Sequence, residues 1–308
     1  MLFLKSKVTV GVCVKNAEKT IRDAINSVIC QDFSHELMEI IVVDGQSEDK
    51  TLAIIKEILS EIDMRSVILS ENKGLGVARQ MVVDNANGDC ILWVDGDMIL
   101  SKDYVRKLVE FMDINPEVGI VIGSHGILPE ANLVAALEDV AYVAVDFKFR
   151  GNHSLRLPGT AGAIFRVEAV RRVGGFDSRI SGVGEDIEVA YRIRKSGWRI
   201  YRGAEPVFYE KRKENWKELW DHYFWYGVGS YKVYCKSDAE IKILYMAPFV
   251  GFLLGVWYSI IAYRILRRKF VFLLPLHYAF KRFAWFFGFI EGQIEIYKQV
   301  SPMEAKIS

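Results

Sequence analysis

The sequence predicts an α/β fold in which a mainly parallel sheet is covered by helices and is followed by apolar helices. Short apolar runs alternate with amphipathic stretches over the first part of the chain, which is the pattern of successive strand–helix units. Two of these runs end in an aspartate, at Asp44 and Asp95, and parallel sheets bind ligands at such strand ends. The 308 residues leave room for one large domain with an appendage.

Hydrophobic periodicity places the strands and helices in chain order. Residues 8–14 form a β-branched run, as expected for a strand buried on both faces. A helix follows, because Ile21, Ile25 and Val28 recur at helical spacing and Thr20 stands where it can cap the start. The expected strands are residues 8–14, 40–43, 66–69, 91–94 and 161–166, and the expected helices are residues 21–29, 52–59, 74–86, 133–149 and 185–195.

Charge and cysteine usage narrow the class of protein. The chain has 40 basic and 39 acidic residues, so it lacks the basic excess of a nucleic-acid-binding protein, and we expect no nucleic-acid partner. The 4 cysteines show no metal-ligand spacing and are expected to be reduced thiols, which favours a catalytic domain in the cytoplasm. Residues 1–7 lack the apolar core of a signal peptide.

Residues 91–97, with the sequence ILWVDGD, form the strongest single motif. Asp95 and Asp97 flank a glycine at the end of a buried strand. Mg²⁺ or Mn²⁺ takes one or two such carboxylates and fills its other positions with water and diphosphate oxygens. Gly96 permits a tight turn and a close approach of a diphosphate. A charged surface turn is the alternative for this motif taken alone.

A second acidic pair opens a predicted helix. Glu185 and Asp186 follow a glycine-containing loop, and the helix dipole stabilises the ionised form of a carboxylate at that position. Asp186 is therefore a candidate general base for an acceptor hydroxyl. An acidic pair that only caps the helix is the alternative.

Three further polar residues are suited to bind a nucleotide. Asp44 ends the second strand, where its carboxylate is either an acceptor for a nucleobase ring N–H or a turn-forming residue. Lys73 and Arg79 flank the start of the third helix, and Arg79 is suited to pair with phosphate oxygens. A solvated helix face is the alternative for both cations. Residues 15–18 lack the glycine-rich turn of a nicotinamide-dependent oxidoreductase, which excludes that class.

Taken in order, these motifs resemble those of the family 2 glycosyltransferases. The resemblance extends from about Val8 to Tyr209, and the ordered set is much more specific than any one motif. The motifs that carry it are residues 16–21 (NAEKTI), 41–51 (IVVDGQSEDKT), 72–79 (NKGLGVAR), 95–97 (DGD), 174–177 (GGFD) and 184–186 (GED), followed by Arg192 and residues 197–198 (GW).

The resemblance implies the GT-A fold, which is Rossmann-like, and an inverting single-displacement mechanism. It implies that Asp44 contacts the base of the nucleotide-sugar donor and that Arg79 contacts the diphosphate. We expect a UDP-sugar as the donor, while the sequence leaves the base and the sugar open. Asp95 and Asp97 would bind the ribose and a metal, Mg²⁺ or Mn²⁺, with Asp97 the closer ligand. Asp186 would deprotonate the acceptor hydroxyl as it attacks the anomeric carbon. The other residues expected to bind the nucleotide sugar are Val14, Asn16, Lys73, Asp95 and Glu185.

One position departs from the family pattern. Many members carry a histidine about two strands after the Glu-Asp pair, where it completes the metal shell. Tyr209 stands where we look for that histidine. The sequence therefore leaves open whether a third protein ligand exists.

The C-terminal part of the chain predicts contact with a membrane. Residues 216–224 place aromatic side chains on one face of a helix, which suits either lipid headgroups or packing on the catalytic domain. Residues 241–263 are long enough to cross a bilayer, and residues 270–290 have the length but contain Lys281 and Arg282. A spanning hairpin and a monotopic arrangement in the cytoplasmic leaflet both stay open, although the hairpin conflicts with the positive-inside tendency.

We therefore expect a GT-A catalytic domain over residues 1–212, an amphipathic interface helix over 213–238 and a membrane-associated helical segment over 239–308. The tail carries residues 226–229 (YGVG) and 287–292 (FGFIEG), and with them it is similar to that of succinoglycan-type exopolysaccharide glycosyltransferases. This resemblance implies a polyprenyl-linked or glycan acceptor at a membrane, with the catalytic domain on the cytoplasmic side. His153 is a candidate acceptor contact. Transfer to polyprenyl phosphate is one alternative. A catalytically silent nucleotide-sugar-binding protein is another, but it predicts the loss of an aspartate that is present.

Overall fold

The computed structural model describes residues 6–129, 132–151, 157–180, 182–236 and 243–304. The chain divides into two compact units, of which the first comprises Met1–Gly126, Asp146–Ser181 and Glu185–Lys211 and the second comprises Ile127–Val145, Gly182–Gly184 and Arg212–Ser308. The strands are β1 (Val8–Val14), β2 (Met38–Asp44), β3 (Arg65–Ser70), β4 (Cys90–Trp93), β5 (Met98–Leu100), β6 (Val118–His125), β7 (Ala163–Arg166) and β8 (Arg199–Glu210). The helices are α1 (Ile21–Ile29), α2 (Thr51–Ser60), α3 (Leu75–Asn85), α4 (Tyr104–Ile114), α5 (Leu133–Phe149), α6 (Val167–Arg172), α7 (Glu185–Lys195), α8 (Trp216–Lys236), α9 (Pro248–Leu266) and α10 (Leu274–Glu304).

One twisted sheet organises the first unit. Its strand order is β3-β2-β1-β4-β7-β6-β8-β5 among the described residues. The pairings of β1 with β2 and β4, of β2 with β3, and of β6 with β8 are parallel, whereas β7 and β5 run antiparallel to their neighbours. The α/β fold with a mainly parallel sheet is therefore confirmed.

The core follows from the apolar runs of the sequence. The side chains of β2 and β4 are buried along their whole length, which is the pattern expected of strands covered on both faces. Trp93 packs edge-to-face against Phe165 and Phe176, with ring centroids 6.3 and 5.3 Å apart. This packing fixes the end of β4, immediately before the Asp95–Asp97 turn, against two later segments of the chain.

The second unit, called the helical unit below, contains helices that begin and end at other residues than those predicted. The apolar helix expected over residues 241–263 is α9, which begins at Pro248 and ends where Arg267 adopts a left-handed φ of 55°. The helix expected over residues 270–290 is α10, which begins at Leu274 and continues to Glu304. Proline is favoured in the first turn of a helix, and Pro248 and Pro275 mark both starts. Residues 241–242 lie outside the described part of the chain. Within that part, α9 is the one helix long and apolar enough to cross a membrane.

The aromatic face of α8 packs against α10. The Trp216 ring lies 5.0 Å from the Phe280 ring, and the Trp220 ring lies 5.4 Å from the same ring. Leu219 is buried. This face is therefore partly covered by α10, while Trp216 stays 42% exposed, and contact of this face with lipid headgroups stays a prediction.

Candidate active site

The carboxyl ends of β1, β2 and β4 meet at one edge of the sheet. Val14 and Asp44 are aligned as partners at the ends of β1 and β2. Asp95 follows Trp93, the last residue of β4, by two positions. Parallel pairing therefore brings three of the predicted positions to the same edge, where ligands bind in open α/β sheets.

Asp44 holds a buried acceptor that has no protein donor. The residue is 2% exposed. Its Oδ2 accepts a hydrogen bond of 3.1 Å from the Ser47 N–H, whereas its Oδ1 has no hydrogen-bond partner among the described residues. Buried polar atoms are almost always paired in native proteins, so a free one points to an absent ligand. A nucleobase ring N–H is a donor of the required kind.

Asn16 joins the loops that follow β1 and β2. Its backbone adopts a left-handed φ of 52°, a conformation that Asn tolerates better than most residues. Its N–H donates to Ser47 Oγ at 3.0 Å, and its Oδ1 accepts the Glu48 N–H at 2.9 Å. Asn16 therefore links the loop that follows β1 to the loop that follows β2, next to Asp44.

The Asp95–Asp97 turn is held between β1 and β8. A Cβ added to Gly96 would lie 2.8 Å from Val14 Cγ2, so only glycine fits there without displacing the end of β1. The Lys211 N–H donates to the Asp97 carbonyl oxygen at 3.0 Å. The backbone that presents both carboxylates is therefore braced on two sides.

Arg79 lies at the centre of an acidic cluster. Its buried guanidinium forms an ion pair with Glu185 and lies 3.8 Å from Asp95 Oδ1 and 4.0 Å from Asp186 Oδ2. Burial works against the charged form, but Glu185, Asp186 and Asp95 outweigh it and raise the pKa of Arg79. One permanent cation therefore holds three carboxylates that are far apart in sequence.

The cluster carries more acidic than basic groups. Burial, opposed by Arg79 and reinforced by Asp186, raises the pKa of Glu185 to about 7. Desolvation of the Asp95 carboxyl raises its pKa to about 6. Arg79 opposes this shift, and Asp97 and Asp186 reinforce it. Carboxylates that resist ionisation in this way gain from a bound cation.

The donor set suits a hard divalent cation at Asp95 and Asp97. No group of three or more His, Cys, Asp or Glu side chains in the described part of the chain is arranged as a metal site. Two carboxylates are enough for Mg²⁺ or Mn²⁺ when substrate oxygens and water complete the shell. The Tyr209 ring lies so close to Gly126 that a Cβ there would overlap it. Tyr209 therefore takes part in packing between β6 and β8.

Asp186 faces a segment that the sequence analysis did not single out. Its Oδ2 accepts a hydrogen bond of 3.4 Å from the Thr160 N–H, and a Cβ added to Gly159 would lie 2.8 Å from the same oxygen. The Thr160 hydroxyl oxygen is buried and has no partner in the described part of the chain. Gly159 and Thr160 directly precede the strand predicted over 161–166, and this position was the sequence feature that could have indicated the segment.

Lys73 lies in the turn before α3. The side chain of Lys73 is exposed and forms no ion pair within the described ranges, while its N–H donates to Glu71 Oε2 at 2.6 Å. This contact orders the turn that ends at Gly74, the residue before α3. His153 lies outside the described residues.

Comparison with known proteins matches this geometry to one family. Residues 9–173 match the model of the family described as Glycosyl transferase family 2. The chain is 24% identical over 294 residues to a probable glycosyltransferase, YdaM, of Bacillus subtilis, covering 92% of this chain and 64% of the relative. It is 26% identical over 194 residues to the poly-beta-1,6-N-acetyl-D-glucosamine synthase of Staphylococcus aureus, covering 60% of this chain and 45% of that protein. The chain thus spans about half to two thirds of the length of these curated relatives.

Solved structures share the fold. A mannosyltransferase from Pyrobaculum calidifontis in complex with GDP-Man and Mn²⁺ aligns with a TM-score of 0.59 at 18% identity, covering 89% of this chain and 74% of that one. Residues 1–349 of S. aureus TarS in complex with UDP-GlcNAc align with a TM-score of 0.52 at 18% identity, covering 95% of this chain and 92% of that one. At these identities the likeness concerns the fold alone.

Proposed function

The chain belongs to glycosyl transferase family 2, and we propose that it transfers a sugar, with inversion, from a nucleotide-diphosphate sugar to an acceptor presented at a membrane. It is a glycosyltransferase with a GT-A fold. The observation that carries the proposal is the grouping of Asp95, Glu185 and Asp186 around the buried Arg79 at the ligand-binding edge of the sheet.

Asp44 would recognise the base of the donor. Its unpaired Oδ1 would accept a ring N–H, and Val14 and Asn16, at the end of β1 and in the loop that follows it, would contact the base. Uracil, guanine and thymine all offer such an N–H, and among them the proposed donor is a UDP-sugar. Support also comes from the fold relative solved with UDP-GlcNAc. Lys73, whose side chain is exposed beside the start of α3, is placed to approach the diphosphate from solvent.

Asp95 and Asp97 would hold Mg²⁺ or Mn²⁺ together with diphosphate oxygens. When bound, such a metal supplies Lewis-acid stabilisation to the departing nucleoside diphosphate. The surplus of carboxylates over cations in the cluster supports this assignment. A fold relative was solved with Mn²⁺ and its nucleotide sugar.

Asp186 would act as the general base. It takes the proton of the acceptor hydroxyl while that oxygen bonds to the anomeric carbon and the bond from this carbon to the diphosphate oxygen breaks. The proton ends on the Asp186 carboxylate and the electron pair on the diphosphate. The absence of a side chain at Gly159 leaves room at Oδ2 for the acceptor, and the unpaired Thr160 hydroxyl is a further contact for it.

Arg79 and Glu185 would keep this arrangement in place. A role for Arg79 at the diphosphate stays a prediction, whereas its contacts support the task of holding Asp95, Glu185 and Asp186 at fixed positions. Glu185 Oε2 is buried with no partner in the described part of the chain. It is therefore available to a hydroxyl of the donor sugar.

The acceptor would be a polyprenyl-linked sugar or a growing glycan on the cytoplasmic side of a membrane. The apolar helix α9 supports a membrane location. A relative in the same family is a polysaccharide synthase, which supports the acceptor class. Cys13, Cys30, Cys90 and Cys235 are all free, as in a reducing compartment.

The test is nucleoside-diphosphate release from UDP-, GDP- and dTDP-sugars by membranes that contain the full chain, with and without Mn²⁺. We expect release from one donor that requires metal, and loss of that release in Asp186→Asn. Asp63→Asn, at an exposed aspartate, is the matched control and should retain full activity. Release that persists in Asp186→Asn, or no release from any donor even with lipid acceptors, contradicts the proposal.

A further inference from the structure

Within the helical unit, α8 and α10 pack so closely that their backbones touch. A Cβ on Gly288 would overlap the carbonyl oxygen of Phe224, and a Cβ on Gly227 would overlap that of Trp285. A Cβ on Gly292 would lie 2.9 Å from the carbonyl oxygen of Val228. The two helices therefore run side by side, and one of them cannot enter hydrocarbon without the other.

Charged side chains disfavour burial of the first turns of α8 in hydrocarbon. Lys217 and Asp221 pair across one turn at 3.4 Å, and their side chains are 87% and 60% exposed. Exposed charges of this kind are strongly disfavoured in a bilayer core. Because the start of α10 lies against the start of α8, the same charges disfavour a position of that part of α10 in hydrocarbon.

The first half of α10 is anchored by a buried polar group of α5. Lys281 Nζ donates to Glu138 Oε2 at 2.7 Å, and His277 Nε2 lies 3.2 Å from the same oxygen. The Tyr223 hydroxyl of α8 donates to Glu138 Oε1. This buried network ties α5, α8 and α10 into one protein layer, so the charges that interrupt the apolar sequence of α10 face protein.

Helix α9 lies antiparallel on α10 and leaves one face uncovered. Gly251 packs on Tyr278 and Arg282, and Gly255 packs on Leu274 and Pro275. The opposite side carries large apolar residues that are exposed, with Phe249 at 72% and Trp257 at 56%. We call this the outer face of α9, and it consists of Phe249, Phe252, Leu253, Val256, Trp257 and Ile260. An apolar face of this size marks an interaction surface.

A group of exposed cations lies next to the outer face. The basic connector between α9 and α10 consists of Arg264, Arg267, Arg268 and Lys269. No carboxylate pairs with any of the four in the described ranges. The antiparallel packing returns this connector to the end of the unit where Trp216 begins α8 and packs on His277. The cations therefore lie at the same end as the exposed Lys217.

We propose that the helical unit lies on one leaflet of an anionic membrane and that neither α9 nor α10 crosses it. The outer face of α9 enters the boundary between headgroups and acyl chains, and the basic connector binds lipid phosphates. An apolar face beside unpaired cations is the chemistry of an interfacial helix on anionic lipid. The inference rests on the membrane location within the proposed function, and it decides between the two arrangements that the sequence left open.

The first test locates the basic connector by cysteine labelling. The exposed Cys30 and Cys235 are replaced with Ser, and Arg268→Cys is introduced into the full chain. A membrane-impermeant maleimide is then applied to intact cells and to inverted membrane vesicles. We expect labelling in inverted vesicles alone, as for the control Lys217→Cys. Labelling in intact cells would show that α9 crosses the membrane, and no labelling from either side would place the connector in hydrocarbon. Each result overturns the proposal.

The second test measures binding of the purified full chain to vesicles of phosphatidylcholine with and without phosphatidylglycerol. Replacing Arg264, Arg267 and Arg268 with Gln should weaken binding to the anionic vesicles by about fivefold per residue and leave binding to neutral vesicles unchanged. Leu253→Glu should weaken binding to both. If Leu253→Glu changes the oligomeric state and leaves vesicle binding unchanged, a second copy covers the face and the proposal is overturned. Neither readout requires sugar transfer, so failure of the proposed function is detected separately.

Discussion

Replacing Arg79 with Gln removes the guanidinium that three carboxylates of the candidate site share. Arg79 and Glu185 are both buried, and breaking a buried pair by removal of one partner costs about 3–5 kcal/mol, because the other charge is left without compensation. We expect Arg79→Gln to lower the free energy of unfolding by about 4 kcal/mol at about pH 8.5. That loss corresponds to a fall of about 10 °C in Tm for a unit of this size.

The loss depends on pH through Glu185. Burial raises the pKa of this carboxyl from 4.5 to about 7, so the folded state holds the proton more tightly than the unfolded state. The stability contributed by this proton is complete below the unfolded pKa and is lost as the pH rises through the folded pKa. At about pH 5.5 Glu185 is protonated with or without Arg79. We therefore expect Arg79→Gln to cost less than about half as much there.

Two variants make this experiment decisive. Arg22→Gln breaks an exposed pair with Glu57 and should cost less than about 1 kcal/mol at either pH. Adding Glu185→Gln to Arg79→Gln should recover at least half of the lost stability at the higher pH, because no unpaired buried charge remains. The assay is thermal unfolding of the solubilised full chain at both pH values. A loss equal to that of Arg22→Gln at the higher pH, or no recovery in the double variant, would refute the reasoning.

Three further substitutions test the parts of the site separately. Asp44→Asn should raise KM for the donor by about 10- to 100-fold and leave kcat nearly unchanged, because a charged acceptor of a base N–H is lost. Titration of the donor measures KM, and an unchanged KM would exclude Asp44 from base binding. Gly159→Ala places a Cβ 2.8 Å from Asp186 Oδ2. It should lower kcat by about 100-fold with little change in Tm, as expected for a misplaced catalytic group. An unaltered kcat would contradict the proposed position of Asp186 as the base. Asp97→Asn should raise the Mn²⁺ concentration for half-maximal nucleoside-diphosphate release by at least about tenfold, since even the loss of a residue that only supports a metal ligand costs that much. An unchanged metal titration would exclude Asp97 from the metal site.

The first half of the fold was predictable from the sequence because its strands are buried on both faces. Continuous apolar runs predicted β1, β2 and β4 with nearly the observed bounds. Asp44 at the end of β2 and Asp95 just after β4 marked the ligand-binding edge. The contact between Arg79 and Glu185 was not predictable, because the residues are 106 positions apart and only the packing of α3 against α7 brings them together.

The later strands were harder to predict because their patterns reflect distant contacts. Strand β6 contains Gly119 and Gly123, which read as strand breakers in sequence. In the fold, Cβ atoms at these positions would lie 2.9 Å from Trp198 Cβ and 2.6 Å from the Tyr104 hydroxyl. The glycines therefore accommodate bulky neighbours that the sequence does not reveal.

The amphipathic pattern of α8 predicted that one face of this helix contacts a partner, but it did not identify the partner. The aromatic residues that suggested lipid contact pack on α10. Lys281 interrupts the apolar sequence of α10 because it pairs with Glu138, which is 143 residues away. Pairings at this range depend on tertiary structure, which a single sequence does not specify.

The anomeric configuration of the first product tests the central claim most directly. The chain is incubated with the donor that supports nucleoside-diphosphate release, and the new glycosidic bond is assigned by NMR before any rearrangement. A single displacement with Asp186 as base predicts a product whose anomeric configuration is opposite to that of the donor, with no product from Asp186→Asn. A product that retains the donor configuration would contradict the account.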